Sequence, residues 1–233
     1  VHNQVAGYLV IDKQLGVQLF GKFIVSGGDQ IATPTSEVDY GYFIVDALSS
    51  IAISTTNGPA HDNTVLYRDH YNLPNDSSTY GVSGSASDYY YTYNNVLFMH
   101  VNVENENAAE HLEFIDRAIE NNPNATWQIV VIHHSYFSGS SASTNTSIVN
   151  MGKALAGELN ARGIDAVLSG HDHFYARSEL MNDYNTVSSD TVVNNTVTDP
   201  EGTLYICGGS STGSGFESPN NTKNVVYINL RII

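Results

Sequence analysis

The sequence predicts an α/β protein in which all 233 residues form one domain. Short runs of β-branched and aromatic residues alternate with segments of helical periodicity, as they do in α/β domains. One run, Trp127 to Ile132, is apolar except for Gln128, which is typical of a strand buried on both faces of a sheet. The length is that of a single domain, and a hydrophobic content of 41% excludes a disordered chain.

The first half of the chain is predicted to hold three short strands and one helix. A helix is expected from Ser36 to Leu48, because Thr33 to Ser36 has the composition of a helix start. The segment from Asp62 to Asn95 is polar and rich in Tyr, Ser and Gly, which predicts a long excursion away from the sheet. Within it, Tyr89 to Tyr93 is expected to pack a hairpin. The predicted strands are Ala6–Ile11, Lys22–Ser26 and Ile51–Ser54.

The second half alternates strands and helices more regularly. Ala108 to Glu120 is predicted to be an amphipathic helix, and Ile148 to Ala161 a second helix that is stopped by Gly163. The polar segment from Asn182 to Thr198 is expected to be a loop or a ragged hairpin. The predicted strands are Val96–Val103, Trp127–Ile132, Asp165–Leu168, Thr203–Ile206 and Val225–Leu230.

The composition bears on partners and location. Nine Lys and Arg face 24 Asp and Glu, which gives a net charge of −15. Such a surface repels phosphate backbones and attracts cations, so no nucleic-acid partner is expected. No apolar run approaches the length of a membrane span. Scarce Lys with abundant Asn, Ser, Thr, Gly and Tyr favours an extracellular or secreted protein, and the oligomeric state is unknown from the sequence.

Residues that can bind metal follow five of the predicted strands. Because ligand sites in α/β sheets form beyond the carboxyl ends of strands, this recurrence predicts one shared site. In order along the chain, the residues are Asp12 and Gln14, Asp29, Asn57 to Asp62, His133 and His134, and the run Gly170-His171-Asp172-His173.

The run from Gly170 to His173 is the strongest of these signals. Two histidines two positions apart on an extended segment point the same way and can converge on a metal ion. His133 ends a buried strand and is predicted to be a further ligand, whereas His134 is expected to be its neighbour rather than a ligand. Asp29 adds a carboxylate, which can bridge two cations.

The order of these elements resembles that of the calcineurin-like metallophosphoesterases, and most of all the bacterial secreted members related to the purple acid phosphatases. The resemblance covers nearly the whole chain, and its Gly-His-Asp-His element is the most specific part. The elements that carry it are Asp12, Gly28-Asp29, His61-Asp62, His133 and Gly170-His171-Asp172-His173, with support from Phe23 to Gln30, Tyr71 to Pro74, Ser169 to Arg177 and Pro200 to Tyr205.

The resemblance implies a two-sheet β-sandwich flanked by helices, with two metal ions about 3.5–4 Å apart. It also implies in-line attack of a metal-bound hydroxide on a small phosphorylated substrate, with His61 protonating the leaving oxygen. Mn, Zn or Fe suits the mixed ligands best, with Mg and Ca as alternatives. The implied ligands are Asp12, Gln14 and His173 for one ion, His133 and His171 for the other, and Asp29 bridging both.

Two departures from the family pattern concern the site. The metal-binding Asn that precedes the family's histidine is replaced by Ala60, so Asn57 is the candidate for that ligand. About nine residues separate the first two predicted strands, fewer than a parallel crossover needs. Either the N-terminal helix of the family is shortened or missing, or this segment is arranged differently.

The sequence leaves one other function open and excludes a second. The altered segment around Ala60 also fits a catalytically impaired descendant that acts as an extracellular binding or structural domain. A serine hydrolase is rejected, because Gly209 to Gly213 fits the G-x-S-x-G pattern but no histidine follows His173.

Three residues outside the predicted site are given structural interpretations. His100 is expected to be a hydrogen-bonded core residue, and His111 a surface residue. Cys207, the only cysteine, is expected to be a buried small hydrophobe, and its isolation excludes an internal disulfide.

Overall fold

The computed structural model describes residues 8–10, 24–26, 52–54, 73–83, 87–137, 145–187, 192–193, 196–197, 200–208 and 225–229. The helices in these ranges are α1 (Ala108–Asn121) and α2 (Thr146–Ala161). The strands are β1 (Tyr8–Val10), β2 (Ile24–Ser26), β3 (Ala52–Ser54), β4 (Tyr89–Tyr93), β5 (Val96–His100), β6 (Trp127–Val131), β7 (Ala166–Ser169), β8 (Tyr175–Asn182), β9 (Asn185–Thr186), β10 (Val192–Val193), β11 (Thr196–Val197), β12 (Thr203–Gly208) and β13 (Val225–Asn229).

The largest sheet has eight strands in the order β13-β8-β12-β7-β6-β5-β4, with β9 paired to β8. Strands β5, β6, β7 and β12 run parallel to one another, so their carboxyl ends meet at one edge. The apolar residues of the central strands form the core together with α1 and α2. This mixed α/β architecture confirms the predicted fold class, and the predicted strands of the second half are all present within a few residues of their predicted bounds.

The edge of this sheet is a hairpin made by β4 and β5. Asn94 and Asn95 have φ of 48° and 64°, the left-handed conformation that a two-residue hairpin turn requires and that Asn tolerates. Tyr91 pairs with Phe98 across the hairpin, and their rings stack at 5.2 Å. The hairpin prediction for Tyr89–Tyr93 is confirmed. The prediction that 62–95 leaves the sheet is wrong for β4, because aromatic cross-strand packing makes it an edge strand.

Both helices begin at asparagine caps. The side chain of Asn107 accepts from the backbone N–H of Glu110 at the start of α1, and Asn145 accepts from two backbone N–H groups at the start of α2. The predicted stop after α2 is confirmed, since Gly163 adopts a φ of +72° there. Helix α1 turns His111, Phe114, Ile115 and Ala118 towards the core.

The N-terminal strands form a separate three-stranded sheet in the order β1-β2-β3. Strands β2 and β3 are parallel, but β1 and β2 are antiparallel, with Tyr8 opposite Ser26 and Val10 opposite Ile24. An antiparallel pair needs no crossover helix, which explains the short connection. The chain therefore leaves β1 beside the start of β2 and not beside its end. The predicted helix at 36–48 lies outside the described residues.

The sequence did not predict β8, an eight-residue strand between β12 and β13. The ragged hairpin expected after it is confirmed by β9 and by the antiparallel pair β10 and β11. Among the described residues, neither helix combines the length and apolar character that crossing a membrane would require.

Candidate metal centre

The candidate site lies beyond the carboxyl ends of β6 and β7, which are parallel neighbours. The backbone ladder continues past both strands. Ile132 donates its backbone N–H to the carbonyl of Leu168 at 3.0 Å, and Gly170 donates to the carbonyl of His133 at 3.0 Å. The loops that leave the two strands are therefore held side by side at the sheet edge, where α/β folds place ligand sites.

His171 lies in a tight turn directly after β7. Its φ of +65° is left-handed, which costs free energy for a residue with a Cβ. Asp172 donates its backbone N–H to the carbonyl of Gly170 at 2.8 Å and closes the turn. The Sγ atom of Cys207, on the neighbouring β12, lies 3.3 Å from the carbonyl oxygens of both Gly170 and Asp172. Contacts from β12 therefore support the two peptides that flank His171.

Three imidazole rings meet at this point. The Nδ1 atom of His171 lies 3.1 Å from the Nε2 atom of His133. His134 completes the group, with ring centroids 5.0 Å from His133 and 4.8 Å from His171. One ring nitrogen from each of the three lies within 4.8 Å of the others.

The spacing of these nitrogens fits ligands of a cation. An ion bound tetrahedrally by nitrogens at about 2.0–2.1 Å separates each pair of them by ~3.3 Å. The separation of 3.1 Å between His133 and His171 is close to that value. Imidazole donors suit Zn, Fe and similar transition ions better than Mg or Ca. The residues present can therefore hold a metal ion of the kind that the sequence resemblance implies.

Burial decides the protonation of His134. It lowers the pKa of His134 to about 2, and the positive charges that His133 and His171 can carry act in the same direction. The ring is therefore neutral near pH 7. Neutral imidazole is the form that binds metal, so no proton has to be displaced from His134.

The structure brings together only part of the predicted ligand set. His133 and His171 meet as expected, and His134, predicted to be a neighbour, joins them. His173 lies two residues beyond His171 and is partly exposed. In the described part of the chain, it is not a member of the three-histidine group. The remaining predicted residues, Asp12, Gln14, Asp29, Asn57 and His61, lie outside the described ranges and stay predictions.

A second buried histidine was misread from the sequence. His111, expected at the surface, is fully buried, and its Nδ1 lies 2.7 Å from Oδ2 of Asp88. Its Nε2 lies 2.6 Å from the carbonyl oxygen of Asn105. The available signal was helical spacing, because His111 stands one turn before Phe114 and Ile115 on the buried face of α1.

Two other interpretations are confirmed. His100 is buried in the core, stacked on Tyr89 at 4.4 Å and with Nε2 at 3.4 Å from the Tyr91 hydroxyl. Cys207 is buried as expected, and it has in addition the contacts to the His171 turn described above.

Comparison with known proteins gives structural matches only. No protein-family model matches the chain, and no curated protein matches its sequence. Among solved structures, it is similar to the purple acid phosphatase PPD1 isolated from yellow lupin seeds, with a TM-score of 0.66, 16% identity, and coverage of 89% of this chain and 40% of that one. It is also similar to PhoD, with a TM-score of 0.55, 13% identity, and coverage of 89% and 56%.

These similarities establish the fold. The chain has an α/β metallophosphoesterase-like fold, shared with two structures of which it spans less than two thirds. At identities of 16% and 13%, the shared fold by itself does not transfer an activity.

Proposed function

We propose that this chain is a metal-dependent phosphoesterase. The observation that carries the proposal is the 3.1 Å separation of the ring nitrogens of His133 and His171 at the carboxyl edge of a phosphatase-like sheet. Parallel strands that deliver imidazoles to one point make a site that can bind a cation. The fold shared with a purple acid phosphatase supports ester hydrolysis as the use of that cation.

Each predicted site residue has a role in this proposal. A pair of bound ions would polarise the phosphoryl oxygens and acidify the attacking water. His133 and His171 would hold one ion, and Asn57 would supply an oxygen ligand. Asp29 would be shared by the two ions, and His61 would donate a proton to the leaving oxygen. The second ion would be held by Asp12, Gln14 and His173.

The proposed substrate is a small phosphorylated molecule. With a net charge of −15, the protein disfavours polyanions such as nucleic acid, whereas a single phosphate can be met by local metal charge. We also propose an extracellular or secreted location, since the composition is acidic and poor in Lys.

The experiment is a phosphatase assay on metal-free protein reloaded with Mn, Zn or Fe, with a chromogenic monoester and diester as substrates. We expect turnover that depends on the added metal. Replacing both His133 and His171 by Ala should lower kcat/KM by more than the roughly 10–100-fold that loss of a supporting residue outside the ligand shell produces. The matched control is Arg117→Ala on the exposed face of α1, which should leave kcat/KM unchanged.

A non-catalytic descendant is the second candidate. Ala60 stands where the family has a metal-binding Asn, and it offers no ligand atom. Metal analysis of the same preparations separates the candidates. Protein that binds its ions stoichiometrically but hydrolyses neither substrate would favour the binding or structural role and contradict the enzyme.

A further inference from the structure

We propose that His134 is a third imidazole ligand of the ion held by His133 and His171, beside the oxygen ligands of the proposed function. The inference rests on the metal centre of the proposed function and assigns one more residue to it. The resemblance to metallophosphoesterases gave His134 no role, and the assignment comes from the geometry at the end of β6.

The first observation is position. His134 follows His133 directly where the chain leaves β6, and it is only 8% exposed. Its ring meets His171 edge-on, with an interplanar angle of 88°. A ring nitrogen of His134 lies within 4.8 Å of a donor nitrogen on each partner. Two ligands of one tetrahedral ion lie ~3.3 Å apart, so the proposal requires the ring of His134 to approach its partners by up to about 1.5 Å.

The second observation is the surroundings of the His134 ring. Across the ranges that the structure describes, no protein group forms a hydrogen bond with either of its nitrogens, and the ring contacts described for it are with His133 and His171. A ring nitrogen that no protein donor occupies keeps its lone pair, so a cation between the three rings can bind it.

A three-imidazole set has a chemical consequence. With Asn57 and Asp29 as the oxygen ligands proposed for the same ion, a third imidazole gives it a set in which nitrogen donors are the majority. The three imidazoles also change which metal ion the site prefers, since nitrogen donors favour Zn and Co over Mg and Ca. We therefore expect this ion site to be selective for Zn over Mg.

The test is metal affinity, measured by chelator competition with Zn and by the visible absorption of the Co(II)-loaded protein. His134→Phe keeps an aromatic ring of similar size beside His133 and His171 but has no nitrogen. If His134 is a ligand, His134→Phe should weaken Zn binding by more than about 100-fold, beyond the range for a supporting residue. It should also change the Co(II) absorption, which depends on ligand number and type.

Two further variants complete the test. His134→Asp restores a donor atom and should recover Zn affinity to within about tenfold of the wild type, provided that thermal melts show the metal-free variants folded. His173→Ala, which the resemblance assigns to the other ion, should leave the first equivalent of Zn bound within about tenfold of wild-type affinity. Both tenfold limits on the change in Zn affinity lie at the lower end of the loss that substituting a residue outside the ligand shell produces.

The outcomes separate this inference from the proposed function. A loss of Zn affinity of about 100-fold or less in His134→Phe overturns the inference and leaves the phosphoesterase proposal standing. Wild-type protein that binds neither Zn nor Co overturns both. Metal bound through His134 without hydrolysis of any phosphate ester supports the inference and contradicts the enzyme.

Discussion

Two sets of buried histidines in this protein have opposite surroundings. Both ring nitrogens of His111 face acceptors, the carboxylate of Asp88 at 2.7 Å and the carbonyl of Asn105 at 2.6 Å. His134 instead faces the rings of His133 and His171. His111 is 0% exposed and His134 8% exposed, so burial does not separate a structural histidine from a candidate ligand. The chemistry of the partner separates them.

The two surroundings also shift the pKa values of the two rings in opposite directions. Burial by itself lowers the pKa of His111, but the hydrogen bond and charge of Asp88 and the carbonyl of Asn105 outweigh it, so the pKa lies above its ordinary value. With acceptors on both sides, the ring is satisfied only when both nitrogens carry protons. His134 has no such acceptor among the described residues, and its pKa is lowered. The pKa of His111 is raised and both of its nitrogens have partners, whereas the pKa of His134 is lowered and its nitrogens have no hydrogen-bond partner among the described residues.

The Asp88–His111 pair also joins several elements. Besides His111 on α1, Asp88 accepts the backbone N–H of Asn102, just beyond β5, at 2.8 Å. The side chain of Asn102 donates to the carbonyl of Gly81 at 2.7 Å. This buried network therefore ties the segment 73–83 to the sheet and to α1, and its function is structural.

The largest expected effect comes from removing the charge of Asp88. Asp88→Asn leaves a buried charged imidazole without its counterion, which costs about 3–5 kcal/mol of unfolding free energy in comparable buried pairs. Urea denaturation measures the loss. Glu113→Gln is the control, because its pair with Arg117 is exposed and should contribute no more than about 1 kcal/mol. Similar losses of unfolding free energy in Asp88→Asn and Glu113→Gln would show that the buried Asp88–His111 pair contributes no more than an exposed ion pair. The proposed difference between the two histidine sets would then be wrong.

A smaller loss of stability is expected from Gly81→Ala. Gly81 has a φ of +61°, and a Cβ there would overlap the carboxylate of Asp88. Gly163 has a similar φ of +72° but nothing within 4 Å of an added Cβ. Gly163→Ala should therefore show only the left-handed strain of about 1–2 kcal/mol, whereas Gly81→Ala adds an overpacking cost of about 1–3 kcal/mol. Equal losses of unfolding free energy in the two variants, measured by urea denaturation, would show that the Asp88 side chain moves away from the added Cβ without a cost in stability.

The difference between the two histidine sets also explains which residues of the site could be predicted from the sequence. His133 and His171 were predictable, because each follows a strand whose apolar residues are consecutive in the sequence. The Asp88–His111 pair was not, because its members are 23 positions apart and Asp88 lies in a polar segment without a periodic pattern. Local patterns report which strand a residue follows, but not which distant side chain reaches it.

The fold shows the same limit. Strand β6 could be predicted because its sequence is an almost continuous apolar run that ends in the buried residues Val130 and Val131. Strand β8 was missed because Arg177 and Glu179 occupy its exposed face and the polar Ser178 its buried face. Ser178 is tolerated there because its hydroxyl accepts the backbone N–H of Tyr205 at 3.0 Å. That compensating bond is a tertiary contact, so no reading of the segment alone could supply it.

A still smaller effect is expected from Cys207, which supports the turn of His171 without belonging to the three-histidine group. Cys207→Ala removes a donor from the carbonyls of Gly170 and Asp172 and should weaken Zn binding by about tenfold, the lower end of the range for supporting residues. Cys207→Ser keeps a donor and should retain wild-type affinity. A loss in Cys207→Ser as large as in Cys207→Ala would show that packing, and not the hydrogen bond, supports the turn.

The mildest perturbation removes a proton from His111 and leaves every side chain in place. Because the folded-state pKa of His111 is raised, the folded state binds this proton more tightly than the unfolded chain, whose histidine pKa is about 6.5. The stability that comes from the protonation of His111 is therefore fully present below that pH and is lost as the pH rises through its folded-state pKa. Asp88 and Glu110 are the charged groups that raise it.

Urea denaturation of the wild type and of His111→Gln from pH 6 to pH 9 measures this loss, since titrations common to both proteins cancel in the difference. The stability advantage of the wild type should narrow as the pH rises. If the difference in unfolding free energy between the wild type and His111→Gln stays constant or grows from pH 6 to pH 9, His111 is neutral in the folded protein. The two histidine sets would then differ in their packing but not in their charge.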